Sequence, residues 1–380
     1  MKKKILIVTE RRADYSKFRP ILRAIKKSKS LDYYLIVTGS HLLKEHGYTI
    51  NEIKKDGFRI TSTFQMYSKN ETDTGSGMVR AFGRAVINLT SEIERLSPDM
   101  ILAGFDIGAN LAAAIVGAHM NIVVGHIEGG EVTGTIDESI RHATTKFSHL
   151  HFTSNIVASN RLKKMGEDPK YIFTVGNPAL DGILEVKPIS TNNLEKEFGI
   201  DFSKPFVLVL QHTVTSEVDK IDLHVLETLE AINELGVQAI IVYGNADAGS
   251  KKISKIIKNS KIKQYPTLSY DKYINLLRHA SALVGNSSSG IIETPFLRIP
   301  SINIGTRQQG RLRFASIIDV NYNKNRIKNA ILKSIQDKRF LHKVKTSKSL
   351  YGDGKAAQRI VRILENIDLE KIPIQKKLTY

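Results

Sequence analysis

Short β-branched runs alternate with amphipathic segments along this sequence, and this alternation most constrains its fold. The first half has strand patterns at residues 4–9, 33–37, 100–103, 122–124 and 171–175. Between them, apolar residues recur at helical spacing at 16–28, 50–55, 78–95 and 110–119, and further helices are predicted from 137 and 155. Strands that alternate with helices are typical of a parallel, doubly wound sheet.

The same alternation starts again after a polar stretch at residues 192–204. Strands are predicted at 206–210, 239–242, 282–284 and 301–304, and helices at 222–235 and from 250 and 290. A chain of 380 residues also suits two domains of about 150 residues or somewhat more. We therefore predict an α/β protein with two Rossmann-like, doubly wound domains that face a cleft, where ligands bind beyond the carboxyl ends of the strands.

The net charge of +18 first indicates a nucleic-acid partner, but the charge is unevenly placed. Residues 321–380 hold 15 Lys and Arg against 5 Asp and Glu, whereas residues 101–150 hold 2 against 5. No recognised module or platform of aromatic and basic residues accompanies the excess. We predict a solvated basic face and no nucleic-acid partner, with a basic nucleic-acid-binding protein as the non-enzymatic alternative.

Several other classes are excluded by what the sequence lacks. Without Cys, no disulfide or thiolate–metal framework forms. The first apolar run stops at Glu10, short of the ~7 to 15 residues of a signal-peptide core, and no window approaches the ~18 apolar residues of a membrane span. Neither half contains a dinucleotide fingerprint or a P-loop. We expect a cytoplasmic protein with no membrane partner, no metal and no cofactor.

Three polar constellations follow predicted strands. Residues 11–17 open the first helix with two arginines, a pattern typical of phosphate sites, although a capped helix start has the same composition. The third constellation comprises His212, residues 245–250 and a serine run at 285–290 that precedes a predicted helix. The serine hydroxyls and helix amides are suited to binding a diphosphate, and the alternative is that the serines only cap the helix. Residues 305–311 add two cations at the same edge.

The second constellation, at residues 125–138, is rich in glycine and carboxylates. Glu138 fits a capping box with Thr135, which gives it a structural role. Asp137 and Glu128 remain as candidates for acid/base chemistry, because crowded carboxylates raise one another's pKa. An ion pair between Asp137 and Arg141 at i,i+4 is the alternative.

Taken together, these segments resemble the hydrolysing UDP-N-acetylglucosamine 2-epimerases, including the epimerase half of the bifunctional enzyme that starts sialic acid synthesis. The resemblance implies a fold like that of GT-B glycosyltransferases. It divides the chain into an N-terminal domain (1–180, joined by a helix at about 355–380) and a C-terminal domain (181–354) that holds UDP. Six segments in the family's order carry it: RADYSK (12–17), HIEGGEVTGTIDESIRHA (126–143), QH.VT (211–215), NADAGS (245–250), GNSSSG (285–290) and GTRQ.GR (305–311).

Position by position, the resemblance also implies the site residues. The acid/base candidates fall on Asp106, Glu128, Asp137 and His212. The substrate contacts fall on Arg12, Ser16, Lys17, Glu131, Asn245, Ser287, Ser288, Glu293 and Arg307.

One segment departs from the family's pattern. Where the family usually reads Gly-Asp-Arg-x-Glu/Asp, this chain has Phe105-Asp106-Ile107-Gly108-Ala109, which keeps only the aspartate. Both replaced charged groups are expected to face the substrate, so this wall of the cleft should be drier and roomier.

The reaction implied is conversion of UDP-N-acetylglucosamine and water to N-acetylmannosamine and UDP, by elimination of UDP and addition of water. Alternatives are the same reaction on a UDP-2,4-diacetamido-6-deoxy hexose, a non-hydrolysing 2-epimerase, and a GT-B glycosyltransferase. The expected partner is a UDP-sugar, and we also expect a homo-oligomer, either a dimer or a tetramer.

Overall fold

The computed structural model describes residues 2–68, 71, 74–244 and 247–379, and it contains two parallel sheets flanked by helices, as predicted. The first sheet has seven strands: β1 (Lys3–Thr9), β2 (Leu31–Val37), β3 (Ser62–Thr63), β4 (Met100–Gly104), β5 (Val123–Ile127), β6 (Leu150–Thr153) and β7 (Ile172–Thr174). Their order in the sheet is β3-β2-β1-β4-β5-β6-β7.

The second sheet has six strands, all parallel. They are β8 (Phe206–Leu210), β9 (Gln238–Val242), β10 (Lys263–Tyr265), β11 (Ala282–Gly285), β12 (Ser301–Ile304) and β13 (Ile317–Val320). The order β10-β9-β8-β11-β12-β13 places β8 and β11 side by side at the centre. In each sheet the strand numbers descend to one central strand and ascend from the next, so the order reverses between β1 and β4 and between β8 and β11. Doubly wound folds bind ligands at such reversals.

Helices connect these strands. Within the described residues, none is both long and apolar enough to cross a bilayer. In the first half they are α1 (Arg12–Lys27), α2 (Ile50–Lys55), α3 (Gly75–Leu96), α4 (Gly108–His119), α5 (Ile136–Phe147), α6 (Ile156–Lys164) and α7 (Pro178–Glu185). The later ones are α8 (Thr191–Phe198), α9 (Ile221–Leu235), α10 (Ser250–Lys258), α11 (Tyr270–His279), α12 (Ser289–Leu297), α13 (Lys324–Gln336), α14 (Lys338–Thr346) and α15 (Ala356–Asn366).

α15 lies beyond the second sheet in sequence but packs on the first. Its residues Ile360 and Leu364 are fully buried in the same apolar cluster as Ile5 of β1 and Ile21 of α1. Lys3 at the start of β1 also donates to the Leu364 carbonyl (2.8 Å) at the end of α15. The apolar face of α15 therefore completes the core of the first sheet, while the domain limits at residues 180 and 354 stay a prediction.

The sequence patterns missed several short elements. α8 falls in the polar stretch at 192–204, because Leu194 and Phe198 alone of its residues are buried. β6 was missed because its four residues include His151, whose ring is buried against Glu167 rather than exposed. Such elements depend on contacts that are distant in sequence, and periodicity within the segment does not reveal them.

Candidate active site between the two sheets

A cavity of about 480 Å³ opens where the carboxyl ends of the strands of both sheets face each other. Segments after β1, β4 and β5 form one wall, and segments after β8, β9, β11 and β12 form the other. No His, Asp and Glu side chains among the described residues form a cluster that could hold a metal ion. Most of the predicted site residues line the cavity, namely Arg12, Ser16, Lys17, Asp106, Asp137, His212, Ser287, Ser288, Glu293 and Arg307.

The first turn of α1 forms part of the first wall. This helix begins at Arg12, within the segment at 11–17 that was expected to open it. The buried Asp14 carboxylate accepts the backbone N–H groups of Glu10 (2.8 Å) and Arg11 (2.9 Å), which fixes the start of the helix. Arg12 reaches across the cavity to donate to the Leu268 carbonyl (3.2 Å). Helix amides and guanidinium groups therefore meet at a place suited to an anion.

Asp106 follows β4 and forms an ion pair with Arg141 of α5, whose side chain is fully buried. Burial opposes ionisation of Asp106, but the charges of Arg141 and Lys17 outweigh it and hold its pKa below the usual range. Asp106 is therefore ionised at neutral pH. The pairing of Asp106 with Arg141 was not predicted from the sequence, because the two residues lie on different elements and no local spacing relates them.

Asp137 lies in the first turn of α5 and faces Arg307 of the opposite wall, with 3.5 Å between Oδ2 and Nη2. The alternative ion pair with Arg141 does not form, because Arg141 turns toward Asp106. Burial and the neighbouring Asp106 charge raise the pKa of Asp137 above its ordinary value, against the opposing effect of Arg307. Two carboxyl groups of one cavity thus differ in proton affinity, an arrangement typical of acid/base sites.

The capping box predicted before α5 forms only in part. The Thr135 hydroxyl accepts the Asp137 N–H (3.3 Å), as an N-cap does. Glu138 instead accepts the Thr133 N–H (2.8 Å), two residues before the cap. Glu138 therefore has the structural role that was predicted, through a different bond.

Glu128 does not line the cavity, because other groups surround its carboxylate. It is 1% exposed, pairs with Lys17 Nζ (2.7 Å), and accepts a hydrogen bond from Asn177 Nδ2 (2.8 Å). The Lys17 ammonium also lies 4.4 Å from the centre of the Phe105 ring. In the structure Glu128 fixes the position of the Lys17 side chain through their ion pair. The acid/base role implied by the resemblance stays a prediction.

Glu131 is also withdrawn from the cavity. It is 3% exposed and accepts hydrogen bonds from Asn155 Nδ2 (2.5 Å) and the Tyr351 hydroxyl (3.3 Å). These bonds tie the start of α6 to the loop before α15. These bonds give Glu131 a structural role, whereas the substrate contact implied by the resemblance stays a prediction.

In the second wall, Asn286 joins two turns and positions two predicted site residues. Its side-chain amide accepts the His212 N–H (2.7 Å) and donates to the His212 carbonyl (2.9 Å). Its own carbonyl accepts from Arg307 Nη1 (3.2 Å). Burial, followed by the charges of nearby arginines, lowers the pKa of His212 well below its usual value, so its imidazole is neutral.

The serine run lies at the start of α12, as predicted. The Ser287 hydroxyl accepts the Ser289 N–H (3.3 Å), and Ser289 donates to the buried Glu293 carboxylate. The Tyr273 hydroxyl bonds to Ser289 (2.6 Å), and burial raises the pKa of Glu293. This wall combines hydroxyls with helix amides. The predicted contact Asn245 lies outside the described residues.

Of the two positions at which this chain lacks the charged groups of the family's pattern, 107 and 109, only one lies on the cavity wall. Ile107 lines the cavity, but Ala109 is fully buried among apolar residues behind it. The expectation that position 109 faces the substrate is therefore wrong. Glu10, from the neighbouring strand end, fills the space there and accepts the Ala109 N–H (2.9 Å).

A family model described as UDP-N-acetylglucosamine 2-epimerase matches residues 23–365. The chain belongs to this family. Its resemblance to the family, deduced from six segments, is thereby confirmed, and the protein is an enzyme of the UDP-N-acetylglucosamine 2-epimerase family.

Three relatives illustrate the range of the family. The UDP-N,N'-diacetylbacillosamine 2-epimerase (hydrolyzing) of Legionella pneumophila is 35% identical over all of both chains. The GDP/UDP-N,N'-diacetylbacillosamine 2-epimerase (hydrolyzing) of Campylobacter jejuni is 36% identical over 85% of each chain. The UDP-N-acetylglucosamine 2-epimerase of Neisseria meningitidis is 32% identical over 99% of this chain and 98% of its own.

Solved structures agree on the fold. The crystal structure of UDP-GlcNAc 2-epimerase from Neisseria meningitidis bound to UDP-GlcNAc superposes with a TM-score of 0.82, at 19% identity, over 95% of this chain and 99% of that chain. The UDP-GlcNAc 2-epimerase of Methanocaldococcus jannaschii, in complex with UDP-GlcNAc and UDP, gives a TM-score of 0.79 at 24% identity, over 96% and 99%. The two-domain, GT-B-like architecture predicted from the sequence is confirmed.

Proposed function

We propose that the protein catalyses hydrolytic 2-epimerisation of a UDP-2-acetamido sugar and releases UDP and the free 2-epimer. The observation that carries the proposal is the pair of carboxyl groups with opposed proton affinities, Asp106 and Asp137, in a cavity walled by arginines. UDP-N-acetylglucosamine is the first candidate substrate. Its product would be N-acetylmannosamine.

The hydrogen on C2 of such a sugar is not next to a carbonyl group, so a carboxylate alone removes it too slowly. Stretching of the C1–O bond to UDP comes first and gives the ring oxocarbenium character, which acidifies this hydrogen. Arg12 and Arg307, with the α12 amides, stabilise the charge that develops on the diphosphate. Loss of one such donor typically costs ~3 kcal/mol in the transition state.

The two carboxyl groups then divide the remaining steps. Asp137 has the higher proton affinity and accepts the C2 proton as the C1–O bond breaks, giving a 2-acetamidoglucal and UDP. Asp106 stays ionised beside its Arg141 partner and stabilises the positive ring. Water then adds its hydroxyl to C1 and releases its other proton to solvent, and a proton from solvent adds to C2 on the opposite face. Asp137 releases to solvent the proton that it accepted, which restores its carboxylate.

A second candidate substrate is a UDP-2,4-diacetamido-6-deoxy hexose. Ile107 puts an apolar surface on the wall where the family's pattern has arginine, and a methyl or acetamido group gains about 0.8 kcal/mol per buried CH₂ there. The names of the Legionella and Campylobacter relatives point to a sugar of this class.

The test is incubation of the protein with each UDP-sugar in heavy water, followed by NMR of the products. We expect free sugar with deuterium at C2, together with UDP. Retention of the original hydrogen contradicts the elimination and favours a glycosyltransferase. Deuterated UDP-sugar without free sugar identifies a non-hydrolysing epimerase instead.

A further inference from the structure

Arg11, two residues after the end of β1, joins the two halves of the molecule at the cavity. Its Nη2 donates to Glu10 Oε1 (2.8 Å), and its Nη1 donates to Oδ1 of Asp247 (3.1 Å), which belongs to the second half. The side chains of Arg11 and Asp247 are each 13% exposed. Neither contact was predicted from the sequence, although Arg11 belongs to the segment at 11–17 whose two arginines are typical of a phosphate site.

Glu10 fixes the direction of the Arg11 side chain. Its carboxylate is 2% exposed and is held from two further sides, by the Ala109 N–H at Oε2 (2.9 Å) and the Tyr67 hydroxyl at Oε1 (3.2 Å). Glu10 therefore brings a carboxylate, and through it a guanidinium, beside the turn after β4. This is the turn that lacks the arginine and the second acid of the family's pattern.

The guanidinium of Arg11 also acts on the groups that face the substrate. After burial, the charges of Arg307, Arg11 and Arg12 all lower the pKa of His212. Arg11 likewise opposes the raised pKa of Asp137. Three arginines from both walls thus line one cavity, and a guanidinium with five N–H donors binds phosphate oxygens in pairs.

We propose that Arg11, presented by Glu10, binds the diphosphate of the nucleotide, and that Asp247 occupies Arg11 until the nucleotide displaces it. Asp247 is then an internal competitor, because its carboxylate stands where a phosphate oxygen binds. A diphosphate carries more charge than one carboxylate, so it wins this exchange. The inference rests on the proposed function only in taking UDP as the bound product.

The alternative is that the Arg11–Asp247 pair merely clamps the two halves together. The two explanations predict opposite changes in UDP affinity when the Asp247 charge is removed. Under competition, removing Arg11 weakens UDP binding while removing the Asp247 charge strengthens it. Under clamping, both changes weaken UDP binding, since each opens the same cleft.

The experiment measures UDP affinity by calorimetry for wild type, Arg11→Met and Asp247→Asn, with uridine titrated by NMR as a probe without phosphates. We expect Arg11→Met to lower UDP affinity about ten- to hundredfold, the range of a charge-assisted hydrogen bond, and to leave uridine affinity unchanged. Asp247→Asn should raise UDP affinity. Arg80→Met, an exposed residue of α3, is the matched control and should change neither.

The proposal is overturned if both variants lose UDP affinity. It is also overturned if UDP affinity is unchanged in Arg11→Met or unchanged in Asp247→Asn. Equal loss of UDP and uridine binding in Arg11→Met also overturns it, since the damage is then not to the phosphate site. If Arg11→Met does not fold, Arg11→Lys keeps the charge without the planar fork and should still lower UDP affinity relative to uridine. Binding of UDP needs no turnover, so a negative heavy-water experiment leaves this result independent.

Discussion

Replacing Arg141 by methionine should separate the structural and chemical roles of the Asp106–Arg141 pair. Arg141 is 0% exposed, while the Asp106 side chain is 21% exposed toward the cavity. Methionine keeps much of the apolar length of arginine, so the substitution mainly removes the charge. The variant leaves Asp106 with Lys17 as the largest remaining cationic influence.

The magnitude follows from this burial. Removing one partner of a fully buried ion pair costs about 3–5 kcal/mol in free energy of unfolding. Since water reaches Asp106 and Lys17 still acts on it, we expect the lower end, about 3 kcal/mol at pH 7. The pair holds the pKa of Asp106 below 3.8, so its contribution is present above pH 3.8 and is lost as the pH falls below that value.

The assay is urea unfolding of wild type, Arg141→Met, Asp106→Asn and the double variant at a series of pH values. A double-mutant cycle at pH 7 should give a coupling of at least about 1 kcal/mol, and this coupling should shrink as the pH falls below 3.8 and Asp106 becomes protonated. Arg362→Met, an exposed change on α15, should cost under about 0.5 kcal/mol. Zero coupling at pH 7, or a coupling that stays constant below pH 3.8, would refute the reasoning.

Two further predictions concern the scaffold. Gly285 has φ +136°, and a Cβ there would lie 2.2 Å from the Leu210 carbonyl oxygen, so Gly285→Ala should lower Tm and UDP affinity together; wild-type values for both would contradict this. For Glu167, burial is outweighed by His151 and Lys376, which lower its pKa to about 2. The stabilisation from its ion pairs is therefore present above pH 4.5 and is lost as the pH falls toward about 2. The difference in free energy of unfolding between wild type and Glu167→Gln, measured with urea, should shrink over that interval. A constant difference would count against the ion pairs.

The sequence predicts those features of the structure that depend on residues close together in the chain. Strand and helix alternation predicted both sheets, because each element carries its own pattern. The segments at residues 11–17 and 285–290 were placed at strand ends, and the structure brings them to one cavity. These inferences needed only the order of elements along the chain.

The contacts that were mispredicted join distant elements. Arg141 was considered as a partner for Asp137 because helical spacing relates them, whereas the structure pairs it with Asp106 on a different strand end. Position 109 was expected on the cavity wall because the family's pattern has an acid there, but the helix that starts at Gly108 turns Ala109 inward. Spacing within a segment does not show which groups from other segments compete for the same position.

The packing of α15 on the first sheet has a consequence for synthesis on the ribosome. β1 leaves the exit tunnel early, yet the apolar surface beside Ile5 and Ile21 is covered only when Ile360 and Leu364 have emerged. The second sheet and its helices lie wholly between these events, so they can reach their native packing while the first core is still open. The later-translated half is then the earlier one to finish folding, and the cleft between the halves is assembled last.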